Sequence, residues 1–279
     1  MKRLATVLVL GGVLAWGTVP ASGAVWRGES AGVATTAPEA VADGAAQELL
    51  ERSGLRLQLE SLVARIESEF RLTSAHFEPG ALYGRVREAF AGRTEPVQLE
   101  RALAWFRSPL GQRVVALEVT AAMPGRDEAL GAFLGRLDAE RPSPERLALL
   151  FRLDAAGLAT ETSLDITLAI LRSLVNASEL MEPAEVESRL TDLRAWARER
   201  MRQASLIGML FTYQDLTDGE LAELTAFVES DAGQWFVNAV SDVVVRAVGR
   251  AAEQAAPEIV RSTRWEGPPP LPRDSRLAE

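Results

Sequence analysis

The chain of 279 residues contains no cysteine, a single histidine and a single lysine, Lys2. Each shortage removes a class of chemistry. Without cysteine there is no disulfide framework, no thiolate nucleophile and no cysteine-based metal site. His76 alone cannot form a multi-histidine metal site or serve several catalytic centres. Once Lys2 is removed with the leader described next, no lysine side chain remains for Schiff-base chemistry. No phosphate-binding glycine loop occurs, and strand-like alternation is almost absent.

The amino terminus carries Lys2 and Arg3, an apolar run LATVLVLGGVLAWGTV and small residues at Ala21, Gly23 and Ala24. This is the pattern of a cleaved secretory signal, residues 1–24, and it predicts a periplasmic protein. The apolar run falls short of the roughly 20 residues that a spanning helix needs. Cleavage would take the formal charge from −9 to −11 by removing two basic residues, so nucleic acid is excluded as a partner on charge.

Residues 25–46 are rich in Ala, Gly, Thr and Glu and predict a flexible lead-in; WEGPPPLPRDSRLAE predicts a disordered tail over 263–279. Between them apolar residues recur at helical spacing. Leu55, Leu59, Leu62, Ile66 and Phe70 form one stripe, and Val186, Leu190, Leu193, Ala197, Met201, Ala204, Ile207 and Phe211 another. The valine run after Ser241 also belongs to a four-residue repeat. Breaks at Glu78–Pro79–Gly80, Pro124–Gly125 and Arg141–Pro142–Ser143–Pro144 punctuate the helices. The expected fold is all-α, a helical bundle of two related units, 47–141 and 142–262.

The relation between the units lies in a doubled motif. WFRSPLGQRVVALE, from Trp105, returns 122 positions later as FVESDAGQWFVNAV, from Phe227. With Gly111 set against Gly233, Ser108 meets Ser230, Pro109 meets Asp231 and Gln112 meets Gln234. Ser108 and Ser230 suit helix N-caps, and Pro109 and Asp231 each suit a first helical position. Thr217-Asp218-Gly219-Glu220 matches a capping box. Gly111 and Gly233 sit one turn into a helix, where glycine costs about 1 kcal/mol relative to alanine, so close approach of a neighbouring helix is expected there. Gln112 and Gln234 would reach that neighbour's backbone or solvent. The motif thus describes a helix, a capped break and a second helix.

The strings DLTDGELAELTAFVESDAGQWF and LERALAWFRSPLGQRVV resemble the signature of the bacterial domain of unknown function 2059, a Thr-x-x-Glu helix leading to Phe-x-x-Ser-Pro-x-Gly-Gln. The first copy keeps Ser108, Pro109, Gly111 and Gln112 but has Val97 where the helix start would carry its glutamate; the second keeps that start but has Asp231 for the proline. The resemblance implies an exported helical protein and brings no catalytic residues.

Other candidate sites have structural alternatives. Gly28-Glu29-Ser30-Ala31-Gly32 matches a nucleophile-elbow pattern without the strand, helix and triad histidine that it requires. His76 with Glu69 and Glu78 would make a weak metal site. Asp218, Glu220, Glu223, Glu229 and Asp231 crowd one helix and offer a carboxylate-only, glycan-directed hydrolase site. Arg194, Arg198, Arg200 and Arg202 around Trp196 suggest contact with a phospholipid surface or an acidic partner. Gly131 and Gly135 have the spacing for close helix packing. The leading expectation is a non-enzymatic binding or scaffold module of the envelope, with no cofactor or metal, whose partner is another envelope protein or a ligand; the hydrolase and the membrane-surface binder are the alternatives.

Overall fold

The computed structural model describes residues 38–70, 74–122, 125–137 and 139–262. Eleven helices and a short 3-10 turn, with no strand, make up the described residues. In order the helices are α1 (Pro38–Arg52), α2 (Leu55–Phe70), α3 (Pro79–Ala91), α4 (Pro96–Arg107), α5 (Pro109–Ala121), α6 (Asp127–Leu137), α7 (Pro144–Gly157), α8 (Ala159–Ser178), α9 (Pro183–Thr212), α10 (Asp218–Glu229) and α11 (Asp231–Ser262). The all-α expectation holds.

Local chemistry explains most boundaries. Pro79, Pro96, Pro109, Pro144 and Pro183 each open a helix, where the missing N–H is not needed. The Glu78 carboxylate accepts from the backbone N–H groups of Gly80 and Ala81, and Ser143 Oγ accepts from that of Arg146. Thr217 and Glu220 form the capping box expected of them. α1 begins at Pro38, inside the stretch expected to be a lead-in. Its alanine-rich sequence favours helix, and Ala45 and Ala46 bury against the core. The signal, the nucleophile-elbow match and the tail lie outside the described residues.

Between α7 and α8 the chain turns at Leu158 with φ of 53°, a left-handed conformation that a leucine adopts at a cost. Leucine cannot cap, so Asp154 does so from the previous helix. It is 6% exposed, and Oδ1 accepts from the Thr160 backbone N–H at 3.2 Å, the Thr160 hydroxyl at 2.9 Å and the Ser205 hydroxyl at 2.8 Å. These bonds offset the burial of a carboxylate and tie α7, α8 and α9 together.

Two principal hydrophobic cores result. The first gathers α1 to α4 with α11 and the face of α8 bearing Ile166, Ile170 and Leu174. The second gathers α5, α6, α7, α10 and the end of α9. The division in space cuts across the boundary drawn in sequence at residues 141 and 142. The first helix of one motif copy, α4, shares a core with the second helix of the other, α11; conversely α5 shares a core with α10. α11, whose inner face is largely alanine, packs most extensively on α8, because small side chains let the backbones approach.

Candidate functional site

The doubled motif builds two equivalent corners. Ser108 Oγ accepts from the backbone N–H of Gly111 at 3.0 Å, and Ser230 Oγ from that of Gly233 at 3.2 Å. Both glycines face the helix they have just left. A Cβ on Gly111 would lie 2.2 Å from the Trp105 carbonyl oxygen, and one on Gly233 would lie 2.1 Å from that of Phe227. The close neighbour is therefore the last turn of the preceding helix in the same copy. Gln112 Nε2 donates to the Arg107 carbonyl at 2.8 Å; Gln234 Nε2 donates at 2.8 Å to both Val228 and Ala156. The glutamines thus satisfy carbonyls that a helix end leaves open. Gly131 and Gly135 behave differently from expectation: a Cβ on either would meet nothing within 4 Å, so neither marks a close helix crossing.

The corners also pack on each other through contacts that correspond between the two copies. Trp105 and Phe227, equivalent in the repeat, stack with ring centroids 4.1 Å apart and planes 7° apart. Each packs against both cores. Arg113 donates to the Asp215 carbonyl, and Trp235 Nε1 to the Arg93 carbonyl. The 122-residue offset that maps Trp105 onto Phe227 also maps Arg113 onto Trp235 and Arg93 onto Asp215, so the two hydrogen bonds are related by the same operation.

A cavity of about 180 Å³ lies at this junction. Part of its wall comes in related pairs: Trp105 with Phe227, Phe106 with Val228, Val114 with Phe236. The fourth pair breaks the symmetry, since Glu118 stands where the other copy has Val240. Glu118 is half-buried and lines the cavity. Its Oε1 accepts from the Tyr213 hydroxyl at 2.5 Å. Desolvation dominates its titration and pushes its pKa up to about 7, against the opposing hydrogen bond from Tyr213. Burial first, and then the neighbouring carboxylate, push the Tyr213 phenol well above its ordinary value. Thr212, 5% exposed, is also part of the wall, but its hydroxyl oxygen is buried away from the open space and has no hydrogen-bond partner among the described residues.

The remaining candidates are dispersed. Asp218 pairs with Arg146, Glu220 with Arg113, and Glu229 with Arg152. The carboxylates of this cluster are thus committed to separate arginines or exposed, and none lines the cavity. Arg194 and Arg198 pair with Glu161 on α8, Arg194 also with Asp165, and Arg202 with Glu199, while Arg200 lies over the Trp196 ring. The apolar face of that helix, from Val186 to Phe211, is largely buried. Glu78 is committed to capping α3, and no group of three or more metal-ligating side chains occurs among the described residues. No helix among them is long and apolar enough to cross a membrane. Comparison with protein-family models, with curated proteins and with solved structures found no match.

Sequence reasoning overlooked Glu118, Thr212 and Tyr213. One signal was there to see: Glu118 interrupts an apolar stripe, four residues after Val114, where the other copy continues from Phe236 to Val240.

Proposed function

We propose that the protein is a non-enzymatic binding module of the bacterial envelope, exported by its amino-terminal signal, and that the cavity between its two cores is the ligand site. The observation that carries this reading is the cavity itself: largely apolar walls from both motif copies, with a few polar residues, among them Glu118, Tyr213, Gln58 and Ser241, in its lining. A small number of placed polar groups in an apolar concavity is the usual make-up of a small-molecule site. The doubled motif supports grouping the chain with the exported helical proteins of domain of unknown function 2059 that it resembles. The acidic helix α10 gives the glycan-hydrolase alternative no pair of facing carboxylates in a cleft, and the buried face of α9 leaves a membrane-surface reading little to work with.

Native mass spectrometry of the protein purified from its own envelope tests the proposal. The expected result is a chain beginning at residue 25 with one small-molecule adduct, absent from V114F, which places in the cavity the phenylalanine that the other copy carries at Phe236. A chain with no adduct, whose melting temperature no envelope extract raises, refutes the binding reading.

A further inference from the structure

The charges around the cavity narrow its ligand. The wall draws residues from α2, α4, α5 and every helix from α7 to α11, and only two of them are ionisable, Glu118 and Tyr213. No arginine lines the space. Elsewhere a glutamate that meets a neighbouring helix does so through an arginine: Glu48 with Arg107, Glu220 with Arg113, Glu229 with Arg152. Glu118 has no such partner among the described residues, only the neutral Tyr213 hydroxyl.

A second carboxylate lies behind the wall. Ser205 lines the cavity and donates its hydroxyl hydrogen to Asp154 Oδ1 at 2.8 Å, and the other partners of Asp154 are the neutral N–H and O–H of Thr160. Both carboxylates that bear on the cavity therefore lack a counter-ion. The remaining polar residues of the wall do not supply one. Ser53 Oγ donates to the Leu50 carbonyl and Ser241 Oγ accepts from Thr162; with Gln58 these groups orient a ligand but carry no charge to balance an anion.

A carboxylate in an apolar wall is stable when it is paired or protonated. Without a cation beside it Glu118 holds its proton more tightly, its pKa pushed up to about 7 by desolvation. A positive group would take that proton's place. The rest of the lining suits one, since Trp105, Phe106, Phe227, Phe236 and Tyr213 are aromatic and the faces of such rings attract a cation that has shed its water. A bare metal ion needs several oxygen ligands, and the wall offers no second carboxylate to share it. An anion would meet only like charge.

Building on the binding reading above, we infer that the cavity takes an organic cation, an alkylated ammonium group held against Glu118 and among the rings of Trp105, Phe106, Phe227 and Phe236. The other motif copy has Val240 where Glu118 stands, so the charge is recognised from one side only.

Calorimetric or ligand-observed NMR titration of the full chain with choline, 3,3-dimethylbutan-1-ol and 3,3-dimethylbutanoate tests this, because the three are alike in shape and differ in charge. Choline should bind at least about tenfold more tightly than the alcohol, and the anion most weakly. The ammonium group of choline does not titrate, so its affinity should rise about tenfold or more from about pH 5.5 to about pH 8.5 as Glu118 gives up its proton, with no such rise for the alcohol. E118Q keeps an acceptor for Tyr213 and should lose both the preference and the pH dependence. The charge series on the wild type needs no variant and serves should E118Q fail to fold. Equal binding of choline and the alcohol, a choline affinity indifferent to pH, or tightest binding of the anion overturns the cation assignment and leaves the binding reading standing. Binding of none of the three by the folded protein overturns it as well, and the adduct sought by native mass spectrometry then decides the binding reading separately.

Discussion

Replacing Gly233 with alanine is the sharpest test of the corner geometry. In an ordinary helix interior this change stabilises by up to about 1 kcal/mol, because alanine loses less conformational freedom on folding. Here the new Cβ would sit 2.1 Å from the Phe227 carbonyl oxygen and 2.8 Å from the Val228 Cα. Both are backbone atoms, so no rotamer change relieves the contact, and α10 and α11 must separate by about an ångström. That movement would stretch the Ser230 cap and the Gln234 hydrogen bonds and pull Phe227 away from Trp105. Overpacking alone costs about 1–3 kcal/mol. A lost cap adds about 1 kcal/mol. G233A should therefore destabilise by about 2–4 kcal/mol, and G111A, with its Cβ 2.2 Å from the Trp105 oxygen, by a similar amount. Gly84 supplies the control: it lies within α3 with nothing within 4 Å of its Cβ position, so G84A should stabilise by up to about 1 kcal/mol. Urea unfolding followed by circular dichroism measures all three. A G233A protein as stable as wild type would show that the corner relaxes freely and that glycine is not required there.

Further expectations concern charge and packing. Glu118 is protonated more readily folded than unfolded, so its contribution to stability is full below about pH 4.5 and is lost as pH rises through about 7. The difference in unfolding free energy between wild type and E118Q should accordingly fall by about 2–3 kcal/mol across that window, and a flat difference would remove the buried-carboxyl account. Arg146, with a side chain only 15% exposed, bonds the carbonyls of Tyr213 and Leu216 as well as Asp218, and R146M should cost about 2–4 kcal/mol. Arg152 pairs with Glu229 at 57% exposure, and R152M should cost no more than about 1 kcal/mol. A double-mutant cycle of W105L and F227L should return a coupling of about 0.5–1.5 kcal/mol; additivity would mean that the stack seen between the two copies contributes nothing specific.

The helices and their caps were legible because they depend on neighbours in sequence. Ser108, Pro109, Ser230 and the Thr217 capping box act within a turn of their own positions. Gly111 and Gly233 could be marked as crowded, but the crowding atom is the backbone six residues earlier, and seeing that needs the angle of the corner. The cavity was not legible at all. It joins Glu118 to Tyr213 across 95 positions, and no periodicity within one helix reports such a meeting. The Asp154 cap was hidden for a similar reason, since it serves a helix start occupied by Leu158, a residue that sends no capping signal. The expectation that the alanine-rich stretch before Gln47 would be loose gave too little weight to alanine's helix propensity.

The exchange of helices between the motif copies also sets an order of events in time. A chain made from its amino terminus completes α1 to α4 early, but the wall that closes over them is α11, which ends at Ser262. Until that last helix arrives, Phe90 and Phe106 have no Phe236 to pack against, and the second core likewise waits for α10. The first core therefore cannot close until nearly the whole chain has been made, and its apolar surface stays uncovered until then. Such a chain stays open to capture by a chaperone, or to passage through a narrow channel, until its final helix closes the first core.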